Sequence, residues 1–306
     1  MKKILLVAII SLCASTVRSQ LFDAHWIAYP QPDSTSQIWF RRQLILKDRP
    51  TRAVVTIITT GRLMLYINRR NVSTAVWMPD RTVAGHLPVS ITLDITRFLH
   101  CDTNDIAIWY APSCPHIDRQ QVAFGMEADL KDGSKVMLRS DKNWLARRAN
   151  IALTADGGER QDANGYCMNW LAEDIDWAMW QSAAETEAPP QPAQHYSAFY
   201  PAERQSRIFT PRYFDVAGDS VYYQFDKTFR GQIRVTLRDT KPGQRIYIGG
   251  LEYICSGKQD EQACRKFTVA DNRRVLIYGD KNFRNKQIQT VEGIEIVPYT
   301  HTSYQY

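Results

Sequence analysis

The 306-residue sequence has little of several features that assign a chain to a special class. It has six cysteines, no C-x-x-C spacing and six scattered histidines, so no zinc site is expected and no metal ligands are assigned. Its 15 glycines and 14 prolines exclude a collagen-like or low-complexity chain. Beyond the N-terminus no apolar run is long enough to span a membrane. The composition is that of a globular protein with room for two cores.

The first residues have the pattern of a leader. Lys2 and Lys3 precede the apolar run 4–12, and small and polar residues follow. This pattern predicts a signal peptide over residues 1–19 and export to the periplasm, the cell surface or the medium. Its removal takes away three basic residues and no acid, so the formal net charge falls from +6 to +3. A surplus this small does not indicate nucleic acid as a partner.

Five cysteines remain after the leader. Cys255 and Cys264 flank a polar turn and are the first candidates for a disulfide in an oxidising compartment. Cys101 and Cys114 are the second candidate pair. The odd number leaves at least one thiol unpaired or paired between chains.

The periodicity of the remaining chain indicates β-structure. Short runs of alternating or β-branched residues recur, with glycine, proline, asparagine and aspartate between them. The Asp132-Gly133 pair between two such runs predicts a hairpin. We therefore predict an all-β fold with two antiparallel β-sandwich modules in tandem. The predicted boundaries are 20–182 for the first module, 183–206 for a proline-containing linker or extended crossing strand, and 207–306 for the second module.

Several short sequence segments, in their order and spacing, resemble segments of a known protein family. In the first module they are Ala-His-Trp-Ile-Ala-Tyr-Pro (24–30), Trp-Phe-Arg-Arg (39–42), Leu-Tyr-Ile-Asn (65–68), Leu-Asp-Ile-Thr (93–96), Asn-Asp-Ile-Ala (104–107) and tryptophan phrases at 141–144, 169–170 and 174–177. In the second they are 222–231, 242–248 and Glu252. Together they resemble the accessory modules that precede the catalytic domain of bacterial α-L-rhamnosidases. The resemblance implies galactose-binding-like jelly-rolls. Arg69 departs from it, because a glycine usually stands there, and this permits a different turn.

The resemblance also bears on function. In the family a helical toroid follows these modules and holds the catalytic carboxylates, and no position in this chain corresponds to them. No catalytic residue is therefore assigned, and the expected function is that of a secreted, non-catalytic carbohydrate-binding or accessory protein. Two alternatives remain. The chain could be a glycosidase with its acids on the sandwich loops (Glu252, Asp260 and Glu261, or Glu173, Asp174 and Asp176), or a structural module that supports a separate catalytic subunit.

Candidate binding residues follow from the aromatic content. Aromatic rings stack on the apolar faces of sugars, so the residues singled out for a glycan are Trp77, Arg81, Trp109, Tyr110 and His116. The competing interpretation places these tryptophans in a core or an interface. The resemblance also suggests a structural calcium ion, with Asp102, Asn104 and Asp105 as candidate ligands, against the alternative that they cap a turn. The expected partner is a glycan or a protein.

Overall fold

The computed structural model describes residues 24–79, 87–112, 120–167, 170–172, 177–190, 193–196 and 202–299. Within these ranges the chain forms β-strands and four single 3-10 turns, which confirms the predicted all-β fold. The predicted signal peptide lies outside the described ranges.

The strands, in chain order, divide between the two predicted modules and the segment that joins them. The first eleven are β1 (Trp26–Ala28), β2 (Ser36–Leu46), β3 (Arg52–Thr59), β4 (Arg62–Ile67), β5 (Arg70–Asn71), β6 (Val89–Asp94), β7 (Asp102–Ala111), β8 (Val122–Asp129), β9 (Lys135–Arg139), β10 (Leu145–Leu153) and β11 (Glu159–Asp162). The others are β12 (Gln181–Ser182), β13 (Ala184–Thr186), β14 (Gln194–Tyr196), β15 (Ala202–Phe209), β16 (Tyr213–Ala217), β17 (Ser220–Leu237), β18 (Arg245–Ile248), β19 (Leu251–Ile254), β20 (Glu261–Cys264), β21 (Ala270–Gly279) and β22 (Ile288–Tyr299). The 3-10 turns are Thr96–Phe98, Ala163–Gly165, Trp177–Met179 and Asn285–Gln287.

The first module is a sandwich of two sheets. One sheet has seven strands in the order β13-β1-β8-β3-β6-β14, with β9 beside β8. It packs against the β11-β10-β2-β7-β4-β5 part of the second sheet. Side chains alternate between the two faces of a strand, so Val55 and Ile57 of β3 meet Phe40 of β2 and Ile108 of β7 in one apolar core.

The second module is built around β17. This 18-residue strand pairs with β16, β20, β21 and β22, and its register with β21 is irregular between Gln224 and Phe229. An irregular register of this kind bends a strand, so that its two halves can belong to different layers of the sandwich. The core contains Phe225, Phe229, Val235 and Ile277.

The second sheet continues from one module into the other. Strand β11 of the first module pairs in parallel with β19 of the second, from Glu159 opposite Leu251 to Asp162 opposite Ile254. Both faces of β2 from Gln37 to Arg41 and of β7 from Asn104 to Ala111 are buried. One face covers the first core and the other meets the second module, where it forms a cluster that we call the junction cluster. Its large members are Trp39, Met64, Trp77, Trp109, Ile151, Trp170, Trp180, Phe267 and Ile296.

The predicted linker contributes strands. Within residues 183–206, β13 pairs with β1 at one edge of the seven-stranded sheet, and β14 pairs with β6 at the opposite edge. Ala183 is buried in the core of the first module. Strand β15 then joins β22 of the second module. The described part of this segment therefore corresponds to the extended crossing strand rather than to a free linker.

Two hairpins test local expectations. Strands β8 and β9 pair around residues 131–134, with Gly133 at φ 81°, as the Asp-Gly pair predicts. Strands β4 and β5 pair around Asn68 and Arg69, whose φ values are 50° and 67°. Positive φ at both loop residues is the backbone that tight hairpins need. Arg69 thus has the left-handed conformation that suits glycine. The substitution of arginine for the usual glycine, which permits a different turn, does not change the turn here.

Candidate functional site

The residues predicted to bind a glycan occupy different places in the fold. Trp77 and Trp109 are 1% and 6% exposed and belong to the junction cluster, whereas Tyr110 is 1% exposed and belongs to the first core. Arg81 and His116 lie outside the described residues. The described members of the set are packed side chains, in accord with the competing core or interface interpretation, and they do not form a common exposed surface.

Each buried aromatic side chain has a specific packing role. The Arg62 guanidinium lies 5.2 Å from the centroid of the Trp77 ring and donates a hydrogen bond to the Phe267 carbonyl oxygen of the second module. The Tyr110 hydroxyl lies 3.0 Å from Thr60 Oγ1, and burial raises the pKa of this phenol. Trp109 donates its indole N–H to Gln37 Oε1 at 2.7 Å.

A cleft of about 1010 Å³ opens beside the junction cluster, between the two modules. Ligand pockets measure about 300–1,000 Å³, so this cleft has room for an oligosaccharide. The first module contributes β4, β10, β11 and the loop after β5, and the second contributes β17, β20 and the loop before β20. Trp109 and Tyr66 also line the cleft.

The most exposed aromatic ring of the cleft is Tyr166. Its side chain is 46% exposed, and its ring meets Trp39 edge to face with centroids 6.3 Å apart. Trp39 is itself stacked on Trp170, with centroids 5.1 Å apart and planes 9° apart. Tyr166 is therefore supported from behind by rigid rings and keeps part of its surface open to the cleft.

Two amide oxygens in the wall of the cleft lack a donor. Asn150 Oδ1 and Gln161 Oε1 are buried, and neither accepts a hydrogen bond from a described residue. A buried acceptor left without a donor costs about 1–3 kcal/mol, so such groups favour a ligand that supplies hydroxyl or N–H donors. A third amide in the wall, Gln232, donates to the Thr268 carbonyl oxygen at 3.1 Å.

The second module lines the cleft with cations. Arg234, Lys258, Arg265 and Lys266 face it, and Arg234 forms an ion pair of 2.6 Å with Glu292. Burial lowers the pKa of Arg265 and that of Lys266, because both charges lose part of their hydration.

The acids of the cleft are Asp260 and Glu261, and both are occupied. Asp260 accepts from Arg238 Nε at 2.8 Å and Nη2 at 2.7 Å. Glu261 accepts from the hydroxyls of Thr240 and Tyr253, from the Ser256 N–H and hydroxyl, and from the Gly257 N–H. Burial raises its pKa, but these hydrogen bonds outweigh burial and hold the pKa below its usual value.

The other acids proposed for a glycosidase lie elsewhere. Glu252 forms ion pairs with Arg160 Nε at 2.6 Å and Arg245 Nη1 at 3.0 Å. Glu173, Asp174 and Asp176 lie outside the described residues.

The candidate calcium ligands fix a turn and an ion pair. Asn104 Nδ2 donates to the carbonyl oxygens of His100 and Asp102, and Asn104 Oδ1 accepts from the His100 N–H. Asp105 accepts from Arg41 at 2.7 Å and from Gln43 at 3.2 Å. Across the described ranges, no three His, Cys, Asp or Glu side chains come close enough to hold a metal ion.

The expected Cys255–Cys264 disulfide is not formed. Both residues are free thiols. Cys255 is buried in the second core, whereas Cys264 lies in the wall of the cleft with its sulfur 3.9 Å from Gln232 Oε1. Strand β20 pairs with β17 and not with β19, which separates the two side chains. Cys101 is an exposed free thiol, and Cys114 lies outside the described residues.

Most residues of this cleft were missed by sequence reasoning. The amides Asn150 and Gln161 belong to one module, and the cations Lys258 and Lys266 belong to the other, so only the pairing of β11 with β19 brings them together. The one local signal is the density of lysine and arginine around the polar turn 256–266, whose cysteines and acids were considered above but whose cations were not.

Two joined β-sandwiches with a cleft between them define the class of fold, and comparison with known proteins shows which family it resembles. Residues 48–198 match the model of the alpha-L-rhamnosidase N-terminal domain. The chain therefore resembles the N-terminal modules of α-L-rhamnosidases, as its motifs predict. A search of curated proteins gives no match.

Solved structures agree with this fold. An α-L-rhamnosidase from Dictyoglumus thermophilum matches with a TM-score of 0.77 and 21% identity over 90% of this chain and 36% of that chain. The enzyme from Aspergillus terreus gives 0.75 and 18% over 90% and 36%, and that from Streptomyces avermitilis, complexed with L-rhamnose, gives 0.75 and 17% over 87% and 29%. This chain thus spans about a third of the length of these relatives.

In the ranges that the structure describes, no helix is long and apolar enough to span a bilayer.

Proposed function

We propose that the chain is an exported, non-catalytic accessory protein that binds a glycan in the cleft between its two modules. The observation that carries this proposal is that Asn150 and Gln161, which line that cleft, each have a buried amide oxygen without a donor among the described residues. Sugar hydroxyls are donors of the kind that these oxygens need. Export is supported by the leader pattern at Lys2, Lys3 and the apolar run that follows.

The aromatic ring of Tyr166 in the cleft also favours a sugar as the ligand. A pyranose ring has an apolar face that stacks on an aromatic ring, while its hydroxyls bond to polar groups at the edge. Tyr166 offers such a ring, and Gln161 and Asn150 line the same cleft.

The state of the acids favours binding over hydrolysis. Glycoside hydrolysis usually needs two carboxyl groups, one of them protonated so that it can act as an acid. Among the described residues that line the cleft, the only acids are Asp260, bound to Arg238, and Glu261. Glu261 accepts five hydrogen bonds that keep it ionised. Neither carboxyl group is prepared to give a proton to a leaving group.

Titration of the purified protein with a panel of plant and host polysaccharides tests binding, with affinity measured by calorimetry. Tyr166→Ala and Gln161→Met should each weaken the best ligand about tenfold, the effect of losing about 1.4 kcal/mol. The matched control is Tyr213→Ala, because Tyr213 is 50% exposed on β16, outside the cleft. Equal affinities of the two cleft variants and the wild type, or no glycan bound at all, would reject the site.

Two further measurements test the remaining parts of the proposal. N-terminal sequencing of exported material should begin at Gln20. Incubation with aryl α-L-rhamnosides should release no aryl alcohol, and turnover that a single Asp or Glu substitution abolishes would establish an enzyme instead.

An exposed apolar face favours a second candidate function, which is support of a separately encoded catalytic subunit. Phe214 and Val216, two residues apart on β16 and therefore on the same face of that strand, are 60% and 51% exposed. Patches of this kind mark protein interaction sites. Co-purification of a glycosidase with the wild type, and its loss from Phe214→Ser, would support this function. A Phe214→Ser protein that retains the same glycosidase would reject it.

A further inference from the structure

Three cations line one wall of the cleft. Lys258, Arg265 and Lys266 all come from the segment around β20. Arg265 donates a hydrogen bond to the Gly249 carbonyl oxygen, and the charges of Glu159 and Asp156 act on it over a longer distance. In the described part of the chain, neither Lys258 nor Lys266 forms an ion pair of 4.0 Å or less with a carboxylate, so these two ammonium groups are the ones that a ligand can engage.

Lys266 shows this most directly. Its ammonium lies over the Trp109 ring, 4.9 Å from the centroid, and has no hydrogen-bond acceptor among the described residues. Burial lowers the pKa of this lysine, so keeping it charged costs free energy that the aromatic face offsets in part. An anion brought next to this ammonium would gain a charge-assisted interaction with little competition from water.

The nearby acids are directed elsewhere. Glu159 lies beneath this turn, and its carboxylate accepts the backbone N–H groups of Lys266 at 2.6 Å and Phe267 at 2.7 Å rather than the ammonium. Asp260 is bound to Arg238. Glu159 thus attracts the Lys266 ammonium without bonding to it directly, and Asp260 bonds to Arg238, so the ammonium groups of Lys258 and Lys266 remain available to a ligand.

We propose that the cleft selects an anionic glycan, with a carboxylate or sulfate group of one sugar residue bound at Lys258 and Lys266. This inference rests on the proposed glycan-binding function and assigns the ligand class. The sugar ring packs near Tyr166, its hydroxyls donate to Gln161, and its charged group meets the two lysines, so one ligand supplies a donor to an amide oxygen and an anion to the ammonium groups.

Matched ligands that differ only in charge test the proposal. Oligogalacturonate and its fully methyl-esterified form share one backbone, and a sulfated galactan and its desulfated form share another. We expect the charged member of at least one pair to bind about tenfold or more tightly than its neutral counterpart, with an affinity that falls as salt rises. Preference within the first pair identifies a carboxylate, and preference within the second identifies a sulfate.

Charge-reversing variants locate the interaction. Lys258 is exposed, so Lys258→Glu should fold normally and weaken the charged ligand about tenfold or more while leaving neutral ligands unchanged. Lys131→Glu makes the same change on the β8–β9 turn and should have no effect. Lys266→Gln should act like Lys258→Glu, and Lys266→Arg should retain binding if the charge is what matters.

The outcomes separate this inference from the function on which it rests. Neutral glycans that bind as tightly as charged ones, with sensitivity to Tyr166→Ala, would reject the anionic class and keep the glycan site. Charged glycans that bind equally to wild type, Lys258→Glu and Tyr166→Ala would reject this site for the anion. Absence of binding to every member of both pairs and to the wider panel would reject both.

Discussion

Arg41 and Asp105 form an ion pair of 2.7 Å in the interior of the protein, where their side chains are 1% and 8% exposed. They project from the paired strands β2 and β7, and Arg41 Nη1 also donates to the Trp170 carbonyl oxygen at 3.1 Å. One buried pair therefore joins the outer face of the first sandwich to the tryptophan segment that covers it.

Removal of one partner should be costly. Asp105→Ala leaves the Arg41 charge buried without its carboxylate, and we expect the free energy of unfolding to fall by about 3–5 kcal/mol. Urea unfolding at neutral pH measures this loss. The double variant Arg41→Met with Asp105→Leu should recover part of it. Asp226→Ala removes the exposed ion pair with Arg212 and should change little. A loss from Asp105→Ala no larger than that from Asp226→Ala would contradict the prediction.

Phe267 should couple the unfolding of the two modules. Its ring belongs to the second module and lies 5.9 Å from the Trp109 ring of the first, measured between centroids. Loss of a buried phenylalanine costs about 3–5 kcal/mol, and in Phe267→Ala this loss falls on the junction. Calorimetry should show one transition for the wild type and two for Phe267→Ala.

The control for this junction is Phe283→Ala, which removes an equally buried ring from the second core alone. It should lower the transition temperature without a comparable separation of the modules. Two transitions in the wild type, or equal behaviour of the two variants, would show that the junction does not couple them.

Glu261 should make stability depend on acid pH. Its pKa is lowered from 4.5 in the folded chain, so the folded state binds the proton less well than the unfolded state. The carboxylate therefore contributes stability above about pH 4.5, and this contribution is lost as the pH falls through that value and below.

Glu261→Gln tests this linkage. We expect it to lose about 1–3 kcal/mol at neutral pH, because buried donors lose their acceptor, and to flatten the acid limb of the stability curve. Urea midpoints at several pH values measure both effects. Asp271→Asn, a change at an exposed acid, should leave the curve as in the wild type. An equally steep acid limb in Glu261→Gln would refute the assignment.

Arg69→Gly should stabilise the first module. Arg69 has a φ of 67° in the β4–β5 turn, and a left-handed conformation costs a residue with a side chain about 1–2 kcal/mol. Glycine avoids this cost but has more conformational entropy in the unfolded chain. The free energy of unfolding should therefore rise by about 0.5–1 kcal/mol. Thermal unfolding should detect it. Arg70→Gly, at the first residue of β5, should destabilise, and a loss of stability in Arg69→Gly would contradict the prediction.

Local patterns predicted the fold better than they predicted the site. The β-branched run that forms β3, the alternation in β6 and the Asp132-Gly133 turn are local patterns, and the structure has the expected strands and hairpin there. The unbroken run of β17 was not foreseen, because its two halves pair with different strands. Its length depends on contacts between residues far apart in sequence.

The candidate site depends on such distant contacts still more. The burial of Trp77 reflects the second module that covers it through Phe267, which nothing in the local sequence indicates. Likewise, Lys266 and Gln161 come from different modules and line one cleft only after β11 and β19 have paired. Residue types suggest which kind of ligand a protein could bind. Which side chains lie next to one another in the site depends on the order in which the strands pair.

The crossing segment after residue 182 protects the sheet that it crosses. Strands β13 and β14 occupy opposite margins of the seven-stranded sheet, so a single stretch of chain shields the backbone hydrogen-bonding groups of both β1 and β6. Exposed edge strands can form backbone hydrogen bonds with strands of other chains. A first module cut at residue 182 would lack both β13 and β14 and would be prone to self-association. A version extended through β14 would keep both edges of the sheet covered.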